Sequence, residues 1–564
     1  MSLISAINKS VSGLNVAQLG LQVVGNNIAN ANTPGYIRQE LVQAPGLANR
    51  QGDLLIGSGV RPVGIRQTLD NALAERLRDA TSALAANDTL GSAQTQLEAL
   101  VNELGDADLS TQLSSFNSSL HDLANQPGDY ALKQQVILEG QTLADHVRRL
   151  NDGASQLADA ADASYSADIE QVNILTSKIA SLNRKIVDIE GGRTLGSDAT
   201  GLRDEREMAL NELSGYLDID SQEQASGAVA VFVGGDFLVT DGISRDVYST
   251  NVSKDPTSAS EIRIVETNAP LQINGGKLGG ISEAREGIYG KFISDLDSIA
   301  AGIAESFNRI HSQGKGTAGF TDLTSVVGVT PDVSLDQAGL DFTPENGSFE
   351  LQLFGETNEP LSSHRIDIDL FSNGNGTTLA DVAAQISAID GVQGSITPDG
   401  HLTISATTPG VKFGFGNDTS GFLAAAGINT FFTGNDAASL NISEKLLESP
   451  EYLAISAEGI GTDADHLTDL VDLFEKPLPE LGNISVRDRY QRLVTTITQG
   501  AAIQQSVTDG LRTYHSALEG DYLSVTSVNI DEEAVKMVYL QRAFQASSRV
   551  ISTATEMLEL LVSL

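Results

Sequence analysis

The residues best placed to do chemistry are few, and each falls short of a reactive constellation. Gly314-Lys315-Gly316-Thr317-Ala318-Gly319 satisfies the G-x-G-x-x-G spacing that lets a backbone approach a pyrophosphate. That chemistry needs a strand before the glycines and a helix after them. Here a helical apolar stripe runs into them instead, so the segment reads as a flexible connector. Asp367 and Asp369 are spaced like a metal-binding or acid–base pair. They alternate with Ile366, Ile368 and Leu370, which puts both carboxylates on one exposed strand face, and no downstream Glu completes a calcium loop. Asp531-Glu532-Glu533 opens the last apolar stripe, where negative charge simply favours a helix N-terminus. The seven histidines lie outside any H-E-x-x-H or H-x-x-x-H frame. With no cysteine, disulfides, thiolate metal sites and thiol nucleophiles are excluded. The expectation is a protein without a catalytic site, a metal or a cofactor.

Composition points the same way. A formal charge of −39 and a pI near 4.3 set nucleic acid and anionic lipid aside as partners. No stretch approaches the ~20 consecutive apolar residues that span a bilayer, and the opening residues lack the basic segment of a Sec signal. Aromatic residues make up only 5% and Trp is absent, so any cores must be mainly aliphatic.

The elements are clearest at the two ends. Ile7, Leu14, Leu21 and Ile28 recur every seven residues, with Ile4, Val11, Ala17 and Val24 beside them. Met537, Phe544, Ile551 and Leu558 do the same near the finish, with Leu540, Ala554 and Leu561 in the second seam position. Such a repeat keeps one face toward a partner helix, and each end needs a partner that the other end supplies. From Met1 to Ile37 the only charged side chain is Lys9, so copies could lie side by side without repulsion. An Asn-rich turn with Pro34-Gly35 follows. Between the ends, a helix-rich stretch carries the run Val172, Leu175, Ile179, Leu182, Ile186 and Ile189. Ala228–Val239 reads as a hairpin about Gly234-Gly235, and strand patterns dominate from Leu340 to about Gly434. Arg38 to Ile65 reads as irregular or extended, and helix returns after Ser449-Pro450.

The expected fold is therefore α+β and multidomain, with nested discontinuous domains. A terminal helical coiled-coil pair takes residues 1–37 with 527–564. A long-helix bundle takes 38–218 with 278–315 and 441–526. A β-rich segment spans 219–277, and a β-rich outer domain spans 316–440, from the middle of the chain.

The segment Asn26-Asn27-Ile28-Ala29-Asn30-Ala31-Asn32-Thr33-Pro34-Gly35-Tyr36 resembles the N-terminal signature of the bacterial flagellar rod, hook and hook-associated axial proteins. Further segments are similar to the hook–filament junction branch of that family. They are Tyr36-Ile37-Arg38-Gln39, Gly59-Val60 with Ile65-Arg66-Gln67, Ala180-Ser181-Leu182-Asn183 and Leu202-Arg203-Asp204-Glu205-Arg206. Gly279-Gly280-Ile281, Val528-Asn529-Ile530-Asp531-Glu532-Glu533-Ala534 and the Gln541 to Ile551 stretch complete them. No motif is recognised from about Thr317 to Thr433.

The resemblance implies a structural part of the flagellum lying outside the cell, exported through the flagellar type III channel and joining hook to filament. It implies a ring of self-copies through the terminal helices, contacts with the hook protein and a second hook-associated protein, and a cytoplasmic export chaperone holding Met537, Phe544, Ile551 and Leu558. Asn26, Asn27, Asn30, Pro34, Gly35 and Tyr36 carry the family motif. A hook or distal-rod subunit of the same family is the neighbouring alternative. A secreted adhesin or enzyme carried by the middle segment is the alternative of a different class.

Overall fold

The computed structural model describes residues 3–51, 54–103, 108–191, 199–254, 257–370, 376–461, 463–474 and 476–563. They form an α+β, multidomain protein with two compact units. The first gathers Met1–Ala93, Ala160–Glu286 and Ala502–Leu564; the second gathers Gln94–Asp159 and Gly287–Ala501.

In the first unit the N-terminal helix Leu3–Ala29 packs against the C-terminal helix Ile530–Ser563. The two run antiparallel. Asn27 meets Glu533, Gly20 meets Leu540 and Gly13 meets Ser547, so seven residues forward on one helix match seven back on the other. Added Cβ atoms at Gly20 and Gly13 would come within 3.0 Å of Leu540 and 3.2 Å of Ser547, which makes this a close crossing. The strands Gln39–Pro45 and Val60–Gln67, expected only as irregular or extended chain, form an antiparallel hairpin against the N-terminal helix. A register shift between Val42 and Gln43 breaks the alternation that would have revealed it.

The core of this unit lies deeper. The 61-residue helix Tyr130–Glu190 contributes Tyr165, Val172 and Ile179, and the helix Thr200–Tyr216 contributes Leu210 and Leu213. They pack on a four-stranded antiparallel meander built on Val229–Val233 and Asp236–Thr240, the expected hairpin, with Gly234 and Gly235 in left-handed backbone. Ile189, which the helical stripe would have buried, is exposed.

The second unit holds two cores. Phe116, Phe307, Phe431, Phe432 and Phe474 form an aromatic cluster between the helices Leu109–Asn125, Lys291–His311 and Asp465–Leu473. The other buried ring cluster, Phe320, Phe349, Phe413, Phe415 and Phe422, lies in the β-rich core, so the sparse aromatics serve both. The segment without a recognised motif folds around a three-stranded antiparallel sheet, Pro360–Ile368, Gly347–Phe354 and Lys412–Gly416. A second three-stranded sheet and the helix Leu379–Ser387, capped by a reciprocal Thr378–Asp381 box, complete it. Ile366 and Ile368 point into this core, while Asp367 faces solvent and pairs with Arg365 at 2.6 Å.

Gly314–Gly319 is not a flexible connector. Gly314, Lys315 and Gly316 are buried, and the Lys315 amide donates to the Ser456 carbonyl at 2.9 Å. A side chain at Gly316 would strike the Glu451 carbonyl. The glycines are there for close backbone packing, which produces the same spacing as a phosphate loop.

Candidate assembly site at the joined chain ends

The Asn-rich turn, the start of the C-terminal helix and the helix Thr200–Tyr216 converge on one buried polar junction. Asn27, a full helical position yet entirely buried, is its centre. Its side-chain amide donates to the Gln39 carbonyl at 2.9 Å and to Glu533 Oε2 at 3.0 Å. Its oxygen accepts from the Gln39 amide at 3.0 Å and from the Tyr36 hydroxyl at 2.8 Å. Every capacity of a buried Asn is therefore used, as burial demands.

Glu533 closes the junction. Its side chain is 1% exposed, and its Oε1 accepts from Arg38 Nε at 3.0 Å and from Lys536 Nζ at 3.4 Å. Arg38 reaches on to Glu532 at 3.2 Å, nearer the surface. The acidic run before the last helix is thus more than a helix-terminus charge: Asp531 and Glu532 are exposed, but Glu533 is a buried ion-pair partner. The pair joins residues 495 positions apart, which no local pattern can signal. Arg38 is the first cation after Lys9, and of the acidic run in the other terminus it pairs with Glu532 and Glu533.

The junction is anchored inward by Asp204, also missed from sequence. Its carboxylate accepts from the Ile37 amide at 3.3 Å and from the Gln67 side chain. Burial pushes the Asp204 carboxyl up to about 6, against the pull of those two donors. The Tyr36 hydroxyl is pushed up to about 12, first by burial and then by the Asp204 and Glu533 charges. The backbone adds Arg38 N–H to the Thr526 carbonyl at 2.8 Å. Gly35 holds a positive φ of 74°, and any side chain there would collide with Met208. Beside it lies a cavity of about 560 Å³ lined by Pro34, Tyr36, Leu77, Met208 and Leu523.

The residues singled out from sequence fall as follows. Asn26 is exposed and donates to the Tyr36 hydroxyl at 3.2 Å, while Asn30 donates back to the Asn26 carbonyl at 2.9 Å. Pro34 and Gly35 are exposed and Tyr36 is half-buried. Ile7, Leu14, Leu21 and Ile28 are half-buried, because the deepest stripe of that helix is offset to Val16, Ala17, Gly20, Val23, Val24 and Asn27. The helix touches both the C-terminal helix and the hairpin, so its buried face turns between them. Met537, Leu540, Phe544, Ile551 and Leu558 are half-buried along one stripe, and Leu561 is 62% exposed.

Much apolar surface stays open on this pair. Val535 and Tyr539 are each 72% exposed, and Ile4, Val11, Leu560 and Val562 are exposed as well. Among the described residues no group of three or more metal-ligating side chains occurs, and no helix is long and apolar enough to cross a membrane.

Comparisons with known proteins bear on each region. A family model described as the helical domain of flagellar hook-associated protein FlgK matches residues 94–323. Models described as flagella basal body rod protein and flagellar basal body rod FlgEFG protein C-terminal match residues 7–36 and 520–564. The chain is 24% identical to flagellar hook-associated protein 1 of Escherichia coli strain K12, over 99% of this chain and 100% of that protein. It is 26% identical to the protein of the same description from Bacillus subtilis strain 168, over 68% of this chain and 81% of that one. The solved flagellar hook junction protein FlgK from Burkholderia pseudomallei shares its fold, with a TM-score of 0.50 and 15% identity, covering 79% of this chain and 99% of that chain.

Proposed function

Because this chain belongs to the flagellar rod, hook and hook-associated axial protein family, we propose that it is the structural joint between hook and filament. The observation that carries this reading is the apolar surface left open on the paired end helices. Val535, Tyr539, Leu560 and Val562 lie on a helix already partnered on its other side. An exposed apolar face of that kind marks a surface meant for further protein contacts. Copies of this chain side by side would cover it, stabilising a ring by about 25 cal/mol per Å² of apolar area buried.

The assembly segment in this proposal is residues 1–37 with 527–564. Ile7, Leu14, Leu21 and Ile28 on one side, with Met537, Leu540, Phe544, Ile551, Leu558 and Leu561 on the other, supply its packing faces. The two unequal ends of the ring would meet the hook protein and the second hook-associated protein. The chain would travel through the flagellar type III channel, and before that a cytoplasmic chaperone would hold the stripe from Met537 to Leu558. Unchanged chaperone affinity after deletion of Asn529 to Leu564 would remove the chaperone from this scheme. No catalytic role is proposed.

The deciding experiment is electron microscopy of cells lacking the gene, with an assay for flagellin in the medium. Complete hooks without filaments, with flagellin shed as monomer, are expected. Loss of the hook itself would instead assign a rod or hook subunit, and intact filaments would overturn the structural role.

A further inference from the structure

In the second unit a cavity of about 470 Å³ opens between the strand Asp322–Thr324 and the short antiparallel pair Phe432–Thr433 and Asn441–Ile442. Its size falls within the range of small-ligand sites. Its polar lining is divided: Thr324, Ser325, Asn429 and Asn441 are hydrogen-bonded within the protein, whereas the hydroxyls of Thr430, Thr433 and Ser443 make no such bond. Thr430 is 3% exposed, and its hydroxyl has no partner. Ser443 is buried and its side chain caps no helix, although it precedes one. Thr433 and Asn441 sit opposite each other in the strand pair and line the same space. Buried polar groups in folded proteins are normally satisfied, so a cluster that is not calls for a ligand or solvent.

The remaining lining narrows the ligand. One wall is aromatic, with the half-buried Tyr452 stacked on Phe320 at 4.7 Å and 8° between planes. Asp322, Glu444 and Glu448 supply carboxylates against the single ammonium of Lys445, which lies 3.6 Å from Asp322 and 3.9 Å from Glu448. That excess of negative charge repels an anion. The deeper lining of hydroxyls and apolar side chains gives a cation no buried counter-charge. Hydroxyls both donate and accept, and an aromatic wall takes the C–H face of a saturated ring.

We propose that this cavity binds a neutral polyhydroxylated ligand of the monosaccharide class. The site is separate from the joined chain ends, and its test does not depend on the assembly role.

Saturation-transfer NMR on the intact protein, with a panel of neutral monosaccharides and their methyl glycosides at about 20 mM, reads it out at the millimolar affinities expected of small ligands. Transfer from at least one sugar is expected. Binding of the methyl glycoside as well would identify the end of a glycan chain as the source, and binding of the free sugar alone a free metabolite. Thr430→Val and Ser443→Ala should each weaken binding roughly five- to ten-fold. The free Thr430→Val protein should melt at or above the parent, since it loses an unpartnered hydroxyl. No transfer from any sugar, or transfer unaltered in both variants, would overturn the proposal.

Discussion

Asp204 offers the sharpest quantitative test of how the joined ends are anchored. Its carboxyl is lifted from the ordinary 3.8 to about 6, chiefly by burial. Below about pH 3.8 the acid is protonated in folded and unfolded chains alike and contributes nothing. As pH rises the unfolded chain ionises first, so stability falls between about 3.8 and 6 and then stays level. Each pH unit of separation is worth about 1.4 kcal/mol, so the buried charge costs about 3 kcal/mol at neutral pH. Asp204→Asn keeps a carbonyl oxygen for the Ile37 amide and the Gln67 side chain, but brings in an amide donor that needs a partner. The net expectation is about 1–2 kcal/mol of added stability near pH 7.5 and none near pH 4. The chain has no Trp, so a single one at the exposed Ile243, in the same unit, reports urea unfolding without interference. Equal effects at the two pH values, or a less stable variant at pH 7.5, would refute the reasoning.

Three other outcomes test the joint. Glu533→Ala removes one partner of a buried pair, a change that costs about 3–5 kcal/mol when the partner is left unpaired. Arg38 keeps Glu532, so about 2 kcal/mol is expected, read as fewer filaments per cell with export into the medium unchanged. Gly20→Val drives a branched side chain into Leu540 across the 3.0 Å crossing and should cost about 1–3 kcal/mol, loosening the end-helix pair in hydrogen exchange without lowering the melting temperature of the cores. In dilute solution the paired end helices have each other but no neighbouring copy over their open apolar face, so limited proteolysis should trim the regions before about Arg38 and after about Asn529 ahead of the two cores. Protection of both ends in the monomer would contradict this.

The periodic elements were legible in the sequence because their signals are local. The hairpin about Gly234-Gly235, the alternation of Ile366 and Ile368 with Asp367, and the apolar spacing of the long helix each lie within a few turns of chain. What stayed hidden joins distant residues. Glu533 looks like any acid at a helix start until Arg38 and Asn27 are brought to it. Asp204 sits inside a charged helical run whose neighbours, such as Glu205, stay exposed. In the N-terminal helix Ala17 and Val24 of the seam are buried while Ile7, Leu14, Leu21 and Ile28 are half-buried, because two different surfaces share its apolar residues. At Gly314–Gly319 the motif was present, but backbone crowding and phosphate binding both require glycine, and spacing alone cannot separate them.

The antiparallel pairing of the ends also sets an order of events in time. Asn27 leaves the ribosome 506 residues before its partner Glu533. At roughly 5–20 residues per second, that is an interval of about half a minute or more. Throughout it the N-terminal helix has only the adjacent hairpin to pack on and lacks its partner helix, while locally paired regions such as the meander can already form. The junction therefore closes only on a chain translated through Glu533. A product broken off earlier cannot make the buried contact, so the junction distinguishes a chain translated through Glu533 from a shorter one.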